Sequence, residues 1–361
     1  LYIDYEWFSF NKGVNVFWVL FSSKFIVHIV FAFMFIFLFG FNFLLMWLIG
    51  GRNRIFTNTI LNKIKLPFLT SPAKMILLVL GIIVLFFGFT MGGFASNYWK
   101  EYLMFSNASS FAGFPLDPVF KNDIGFYVFS LPFYEFLYNW LISAMVIIII
   151  FSVIFHFFNG GILITEKKVE FSLFTRTHIS SLFAIAIAIY GLGYRLSAYD
   201  LLFSKIGKFY GAGYTAIHAK LLAYNAAMFI AFIASALFIV NIVKKSFKLP
   251  LIVLATIIPV FFILNTVYPG IQQKFVVIPD EFNKEKKYIE RNITFTRKAY
   301  KLDKVKTKQF ANKMNLTYDK IKKNKQLLDN IRIWDWRPLK QTYKQLQELK
   351  RYYSFNDVDI D

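Results

Sequence analysis

Residues 26–49 read IVHIVFAFMFIFLFGFNFLLMWLI, without one Asp, Glu, Lys or Arg. Phe stands at every second position from Phe31 to Phe43. That two-residue period suits a β-strand, but a membrane strand alternates apolar with polar residues. Here the intervening Ala32, Met34, Ile36 and Leu38 are apolar too. A helix needs ~20 apolar residues to cross the hydrocarbon core, and this stretch supplies them. The reading is a transmembrane helix.

Five more stretches meet or approach the same length: Met75–Phe94, Phe136–Phe158, Ile179–Leu196, Leu221–Val243 and Leu251–Tyr268. None holds Asp, Glu or Lys, and the single Arg among them is Arg195. Composition agrees. The chain is 57% hydrophobic and 17% charged, with 46 Phe. A soluble domain carries roughly a quarter charged residues, so a soluble reading is excluded. Charge concentrates at the end: residues 1–269 hold 19 Lys/Arg and 9 Asp/Glu, and residues 270–361 hold 22 and 12. The expected fold is all-α, a polytopic transmembrane bundle of six spans followed by a helical, soluble-like segment. The expected divisions are an interfacial segment over 1–25, the bundle over 26–268, and a charged, mainly helical segment over 269–361.

The absence of cysteine excludes disulfides and Cys-ligated metal sites. The chain begins Leu1-Tyr2-Ile3-Asp4 with no basic leader, and reads as part of a longer protein with a further span before it. Its Lys-over-Arg and Phe/Ile bias suits an AT-rich bacterial genome.

Orientation follows Lys and Arg in the short loops. Arg52, Arg54, Lys63, Lys65 and Lys74 follow the first span, Lys167, Lys168 and Arg176 the third, and Lys244, Lys245 and Lys248 the fifth. The alternate loops balance Lys100 and Lys121 against Glu101, Asp117, Asp123 and Glu135, and Lys205 and Lys208 against Asp200. Residues 53–73, 160–176 and 244–249 are therefore expected in the cytoplasm and both chain ends outside. The basic tail argues the other way, but long segments translocate largely regardless of charge.

Small residues recur every fourth position at Ala219, Ala223, Ala227, Ala231 and Ser235, and at Ser180, Ala184 and Ala188. In lipid, such stripes let helix backbones approach, so the fourth and fifth spans are expected to be neighbours. Gly88 and Gly92 offer one further close contact of this kind. The Phe-rich first span lacks a stripe and is expected to face lipid. Pro259 reads as a kink.

Polar candidates are few. His28, His156 and His178 lie near span ends and read as interfacial. No H-E-x-x-H or paired carboxylates lie within the spans, so neither a metal site nor a cofactor is expected. Gly207 to Tyr214 is glycine-rich but lacks the spacing of a phosphate-binding loop. Arg195, with Tyr199, Lys205 and Lys208, is the best candidate for an anion or lipid-headgroup contact, expected near Asp117 and Asp123 at the outer rim. Arg can hold a phosphate or carboxylate bidentately, which Lys cannot. The tail shows helical spacing at Phe282, Ile289, Ile293 and Tyr300, and at Leu339, Tyr343 and Leu346 after Pro338. Placed outside, it excludes nucleic acid and leaves the bilayer, anionic lipid or an envelope polymer as partner class.

Several long motifs resemble the bacterial uncharacterised protein family 0182. They are Asp117-Pro118-Val119-Phe120 with Asp123 to Tyr134, Gly211-Ala212-Gly213-Tyr214-Thr215 with His218-Ala219, and Tyr268-Pro269 with Gln273 to Val277. Tyr288 to Ile293, Asn330 to Leu339, Gln341-Thr342-Tyr343 and Phe355 to Asp359 complete the set. The resemblance implies a multi-pass bacterial membrane protein with about seven N-terminal spans and a large C-terminal region. It implies no activity and no catalytic residue. The function expected is that of a non-enzymatic protein of the bacterial plasma membrane that anchors an extracytoplasmic region. The alternative is a lipid or small-solute transporter or channel, for which the spans supply little polar path beyond Asn42, Asn139, Asn225 and Asn241.

Overall fold

Among the residues described in the computed structural model, six helical stretches are long and apolar enough to cross a membrane: Val14–Ile49, Leu78–Ser96, Phe126–Phe158, Leu173–Phe203, Ala216–Ile242 and Pro250–Ala299. The structure describes residues 1–49, 72–165, 168–205, 209–244, 248–309, 317–331, 335–347 and 354–358. The all-α bundle expected from the sequence is present, and each expected span has its helix.

The helices are α1 (Tyr2–Phe10), α2 (Val14–Ile49), α3 (Pro72–Ser96), α4 (Trp99–Ser106), α5 (Leu131–Phe158), α6 (Leu173–Asp200), α7 (Leu221–Lys244), α8 (Lys248–Phe262), α9 (Tyr268–Gln272) and α10 (Glu281–Ala299). Most run past the apolar stretches that announced them, because a helix end tolerates a charge at headgroup level. Lys24, Glu135, Arg176 and Asp200 are all helical. At 1.5 Å per residue, α2 is about 54 Å long, well beyond the ~30 Å hydrocarbon core, so residues 14–25 continue the first span as helix.

The Phe-rich span does not simply face lipid. Val27, Phe31, Phe35, Phe39, Phe43 and Met46 form a buried stripe, with Phe35 and Phe39 0% exposed. Phe33 and Phe37 on the opposite side are 67% and 69% exposed. Both faces are phenylalanine, and hydropathy cannot separate them. The packing does: both sets recur every fourth residue, and the one facing α3 and α5 is buried. Trp140 of α5 seats in this core, fully buried and edge-on to Phe31, and its indole N–H donates to the Met91 carbonyl at 3.2 Å.

Gly88 and Gly92 make the contact the sequence offered. A Cβ at Gly92 would lie 2.5 Å from the His28 carbonyl oxygen and 2.7 Å from the Ala32 Cβ. Likewise α6 packs along α7, with Ala219, Ala223, Ala227 and Ala231 buried. The Ser235 hydroxyl donates to the Ala184 carbonyl at 2.8 Å, and the Asn241 amide to Ser180 Oγ at 3.2 Å.

Between α5 and α6 lies a feature the apolar pattern did not announce. Strands β1 (Ile162–Thr165) and β2 (Lys168–Phe171) pair antiparallel, with Ile162 opposite Phe171. The hairpin marks one end of the bundle, called here the hairpin end. The loops over 107–125, 201–205 and 209–215 lie at the other, the loop end.

Single π-turns interrupt the helical path at Phe126–Ser130, Ala216–Lys220, Ile263–Val267 and Gln273–Val277. Such turns often accompany functional positions. Two of the four fall inside the motifs quoted above, and Ala216–Lys220 overlaps a third at His218 and Ala219. The fourth follows Pro259, which lies within α8 and lacks the N–H of a regular turn. Through these turns and a 3-10 turn at Ile278–Asp280 the last span runs on to Ala299, with Asp280 in a non-helical conformation at the start of α10. The tail spacing found α10 but not its packed face, since Phe282, Ile293 and Tyr300 are exposed and Tyr288 is buried.

The chain divides into compact units at Leu302 and Asp303. The second holds α11 (Tyr318–Lys323), α12 (Lys325–Asp329) and α13 (Trp336–Gln347). Within it Tyr343 packs on Phe355 at 5.4 Å, and the Lys340 ammonium donates to the Asn356 carbonyl at 2.6 Å.

Candidate functional site

The rim residues picked from the sequence are partly brought together. Arg195, on the last turns of α6, donates from Nε to the Tyr199 hydroxyl at 3.2 Å. Its guanidinium lies over the Phe120 and Tyr199 rings at 5.3 and 5.0 Å. Phe120 belongs to the 107–125 loop, so that loop does reach Arg195, through a ring and not through a carboxylate. Lys205 is exposed and sits over Tyr210 at 5.5 Å, while Lys208 falls outside the described residues.

The two loop carboxylates are committed elsewhere. Asp117 accepts the backbone N–H of Val119 at 2.8 Å and of Phe120 at 2.7 Å, and the Tyr127 hydroxyl at 2.9 Å. Asp123 accepts from Gly125 N–H at 2.6 Å, Phe111 N–H at 3.2 Å and the Ser110 hydroxyl at 3.1 Å. These hydrogen bonds, the Gly125 bond foremost, hold the Asp123 carboxyl below the usual aspartate range. With a folded value below the unfolded one, its contribution is present at neutral pH and lost as pH falls through the folded value.

Substituting Arg195 by Lys keeps the charge and removes the planar group that covers two rings. Each exposed cation–π contact is worth about 0.5–1 kcal/mol. Arg195→Lys is expected to lower stability by about 1 kcal/mol in a detergent unfolding titration. An unchanged midpoint would show that the contacts with the Phe120 and Tyr199 rings contribute nothing to stability.

A second constellation lies at the loop end, where the 209–220 segment meets α9 and α10. Both Glu285 carboxylate oxygens accept the Tyr214 N–H, at 3.1 and 3.0 Å. Thr215 hydrogen-bonds Gln273. His218 Nε2 lies 3.0 Å from the Tyr288 hydroxyl, and its ring stacks on Tyr214 at 4.3 Å. Asn292 donates to the Tyr210 carbonyl at 2.7 Å. Gly213 permits the approach, because a Cβ there would meet Glu285 Oε2 at 2.8 Å. The clasp joins residues some 70 positions apart in sequence. It uses Tyr214, Thr215, His218, Gln273 and Tyr288 from the quoted motifs. Glu285 lies outside them and carried no signal of its own.

The third constellation corrects the reading of the histidines. His156 and His178 are not isolated at the interface. His156 is 1% exposed, with Nε2 3.1 Å from His178 Nδ1 and Nδ1 3.1 Å from Thr175 Oγ1. His178 Nε2 reaches Asn42 Oδ1 at 2.9 Å, and the Asn42 amide donates to Ser152 Oγ at 2.8 Å. Ser172 caps α6, accepting the Thr175 N–H at 3.1 Å, with its hydroxyl 2.7 Å from Thr175 Oγ1.

With Asn42 Oδ1 accepting, one consistent set of neutral tautomers follows. His178 donates from Nε2 and accepts at Nδ1. His156 then donates from Nε2 and accepts at Nδ1 from the Thr175 hydroxyl, which accepts in turn from Ser172. A single directed chain of hydrogen bonds thus runs from Ser172 through both imidazoles to Asn42 and Ser152, tying α6, α5 and α2 at the hairpin end. Among the described residues no group of three or more His, Cys, Asp or Glu could hold a metal. The chain's ring nitrogens are committed to protein partners.

The model of the "Uncharacterised protein family (UPF0182)" matches residues 1–361. The chain belongs to that family. Relatives include UPF0182 proteins of Desulforamulus reducens, 42% identical over 278 residues, and of Pelotomaculum thermopropionicum, 40% identical over 280. One from Trichodesmium erythraeum is 40% identical over 267 residues. The matches cover 76%, 76% and 74% of this chain and 29% of each relative, so the chain spans less than a third of the length of those family members. No solved structure matches it. Six apolar helices and the family assignment identify a membrane protein.

Proposed function

We propose that this chain is a multi-pass plasma-membrane anchor whose last span continues as a rigid neck, carrying an extracytoplasmic region of the longer family proteins. The loop-end clasp carries this reading. A span that only crossed the bilayer could leave it as a free helix. Here α9 and α10 are held by Glu285, Gln273, Tyr288 and Asn292 against the segment that opens α7. Such contacts fix the direction in which the following chain departs. Within the same proposal the neck is extracytoplasmic, supported by the basic short loops on the other side. Arg195, Tyr199 and Lys205 are assigned to anionic headgroups at that rim.

The orientation is tested by reporter fusions, with an extracytoplasmic reporter active at Asn107 and inactive at Asn62; the reverse pattern overturns it. The neck is tested by Glu285→Ala. Losing a carboxylate that accepts a backbone N–H is expected to cost about 1–2 kcal/mol. It is also expected to raise amide hydrogen exchange through residues 281–299 at least tenfold. Exchange there unchanged from wild type would mean the clasp does not hold the neck.

A further inference from the structure

His156 and His178 are titratable groups inside the bundle that the anchor reading does not use. Their hydrogen-bond chain has one open end and one closed end. At the open end the Ser172 hydroxyl is half-buried at the hairpin end of α6, with the Thr175 hydroxyl and N–H as its partners. At the closed end Asn42 Oδ1 accepts from His178, and an amide relays no proton. The rings packed on the pair are Phe155 and Phe174. Other ionisable groups stand apart. Lys24 and His28 of α2 and Tyr134, Glu135 and Tyr138 of α5 lie toward the loop end. On α6, Arg176 lines a cleft with Phe238 and Leu254, and the next such residue is Tyr190. The segment after Thr165 brings Glu166, Lys167, Lys168 and Glu170 in sequence.

We propose that this chain is a proton-binding site, loaded from the hairpin end and holding a single proton on His156. Hydronium gives a proton to Ser172 Oγ and leaves as water. The original Ser172 hydrogen passes over 2.7 Å to Thr175 Oγ1, and the Thr175 hydrogen over 3.1 Å to His156 Nδ1. Each transfer breaks one bond to hydrogen as it makes the next. His156 then donates from both nitrogens, to Thr175 Oγ1 and to His178 Nδ1. Thr175 donates to Ser172, and Ser172 donates to water. No heavy atom has to move and no polar group is stranded. His156 is 1% exposed, and burying a charge there is costly. Its two charge-assisted hydrogen bonds offset part of that cost. His178 takes no second proton, because its Nδ1 faces the His156 Nε2–H at 3.1 Å and would set donor against donor and charge against charge. Since Asn42 passes nothing on, the proton leaves by the way it came. The site responds to pH at the hairpin end and conducts nothing across the bundle. It is independent of the anchor reading, since it lies at the end away from the neck.

The test is nitrogen NMR of the whole chain in detergent micelles, with histidine alone isotope-labelled, during titration with acid. Imidazole nitrogen shifts separate the neutral tautomers from imidazolium. The signals of His28 and His218 are identified by their loss in His28→Gln and His218→Gln. Both remaining rings are expected to start as the Nε2–H tautomer, and one alone to become imidazolium while the protein stays folded. Thr175→Val keeps the side-chain shape and removes both the relay and the acceptor for the His156 Nδ1–H. It is expected to lower the ratio of charged to neutral His156 at a given pH at least about tenfold. If that variant does not fold, the wild-type titration decides by itself. Two imidazolium rings in the pair, none before unfolding, or Thr175→Val charging as readily as wild type overturns the proposal.

Discussion

Replacing Gly92 by leucine is expected to separate α2 from α3 and to lower stability by about 3 kcal/mol or more. A Cβ at Gly92 meets the His28 carbonyl oxygen at 2.5 Å and the Ala32 Cβ at 2.7 Å. The first contact is backbone and cannot be relieved by a rotamer change. Over-packing a core that can adjust costs about 1–3 kcal/mol. Here the adjustment has to move α2, whose Phe35 and Phe39 also pack in the core around Trp140 of α5. Gly81, on the same helix, has nothing within 4 Å of where a Cβ would stand, so Gly81→Leu is the control. Unfolding in a denaturing-detergent titration is expected to shift strongly for Gly92→Leu and by less than about 0.5 kcal/mol for Gly81→Leu. Equal shifts would mean that the close approach of α2 and α3 is absent in the folded protein.

The contrast between those two glycines shows where the sequence was informative. The four-residue spacing of Gly88 and Gly92, and of Ala219 to Ala231, identifies backbone approach because only small residues permit it. Gly81 falls outside such a pair. The Phe alternation in α2 was harder to read, since apolar residues on both faces of a span leave hydropathy without contrast. Only the geometry of neighbours picks Phe35 over Phe37. The polar constellations were least legible. Asn42, His156 and His178 stand far apart in the chain, and their union depends on how three helices are placed. Glu285 was hidden differently. It is one of many charges on an exposed helix, and what singles it out is the Tyr214 N–H opposite. Arg195 was picked for its charge at a span end, but the Phe120 ring that covers it was visible only as a loop aromatic.

The second large effect is expected at His178. Substituting phenylalanine keeps the ring volume and its stacking on Phe174, which lies at 5.7 Å with an interplanar angle of 22°. It removes both nitrogens. The His156 Nε2–H and Asn42 Oδ1 then lose their partners. An average hydrogen bond between membrane helices is worth only about 0.6 kcal/mol, because the groups often find others when one is lost. His156 is 1% exposed and Asn42 6%, and both of their other polar atoms are already engaged, so new partners are out of reach. Each stranded group costs about 1–3 kcal/mol, so His178→Phe is expected to destabilise by about 2–6 kcal/mol. Asn42→Leu strands the His178 Nε2–H and is expected to cost about 1–3 kcal/mol alone. Combining the two removes both sides of one hydrogen bond, and the double variant is expected to be at least about 1 kcal/mol more stable than the sum of the singles predicts. Ser143→Ala, which removes an exposed hydroxyl bonded only to its own helix at 2.8 Å, is the neutral control. Strict additivity, or a loss for His178→Phe no larger than that of Ser143→Ala, would show that the histidines are solvated at the interface as isolated side chains.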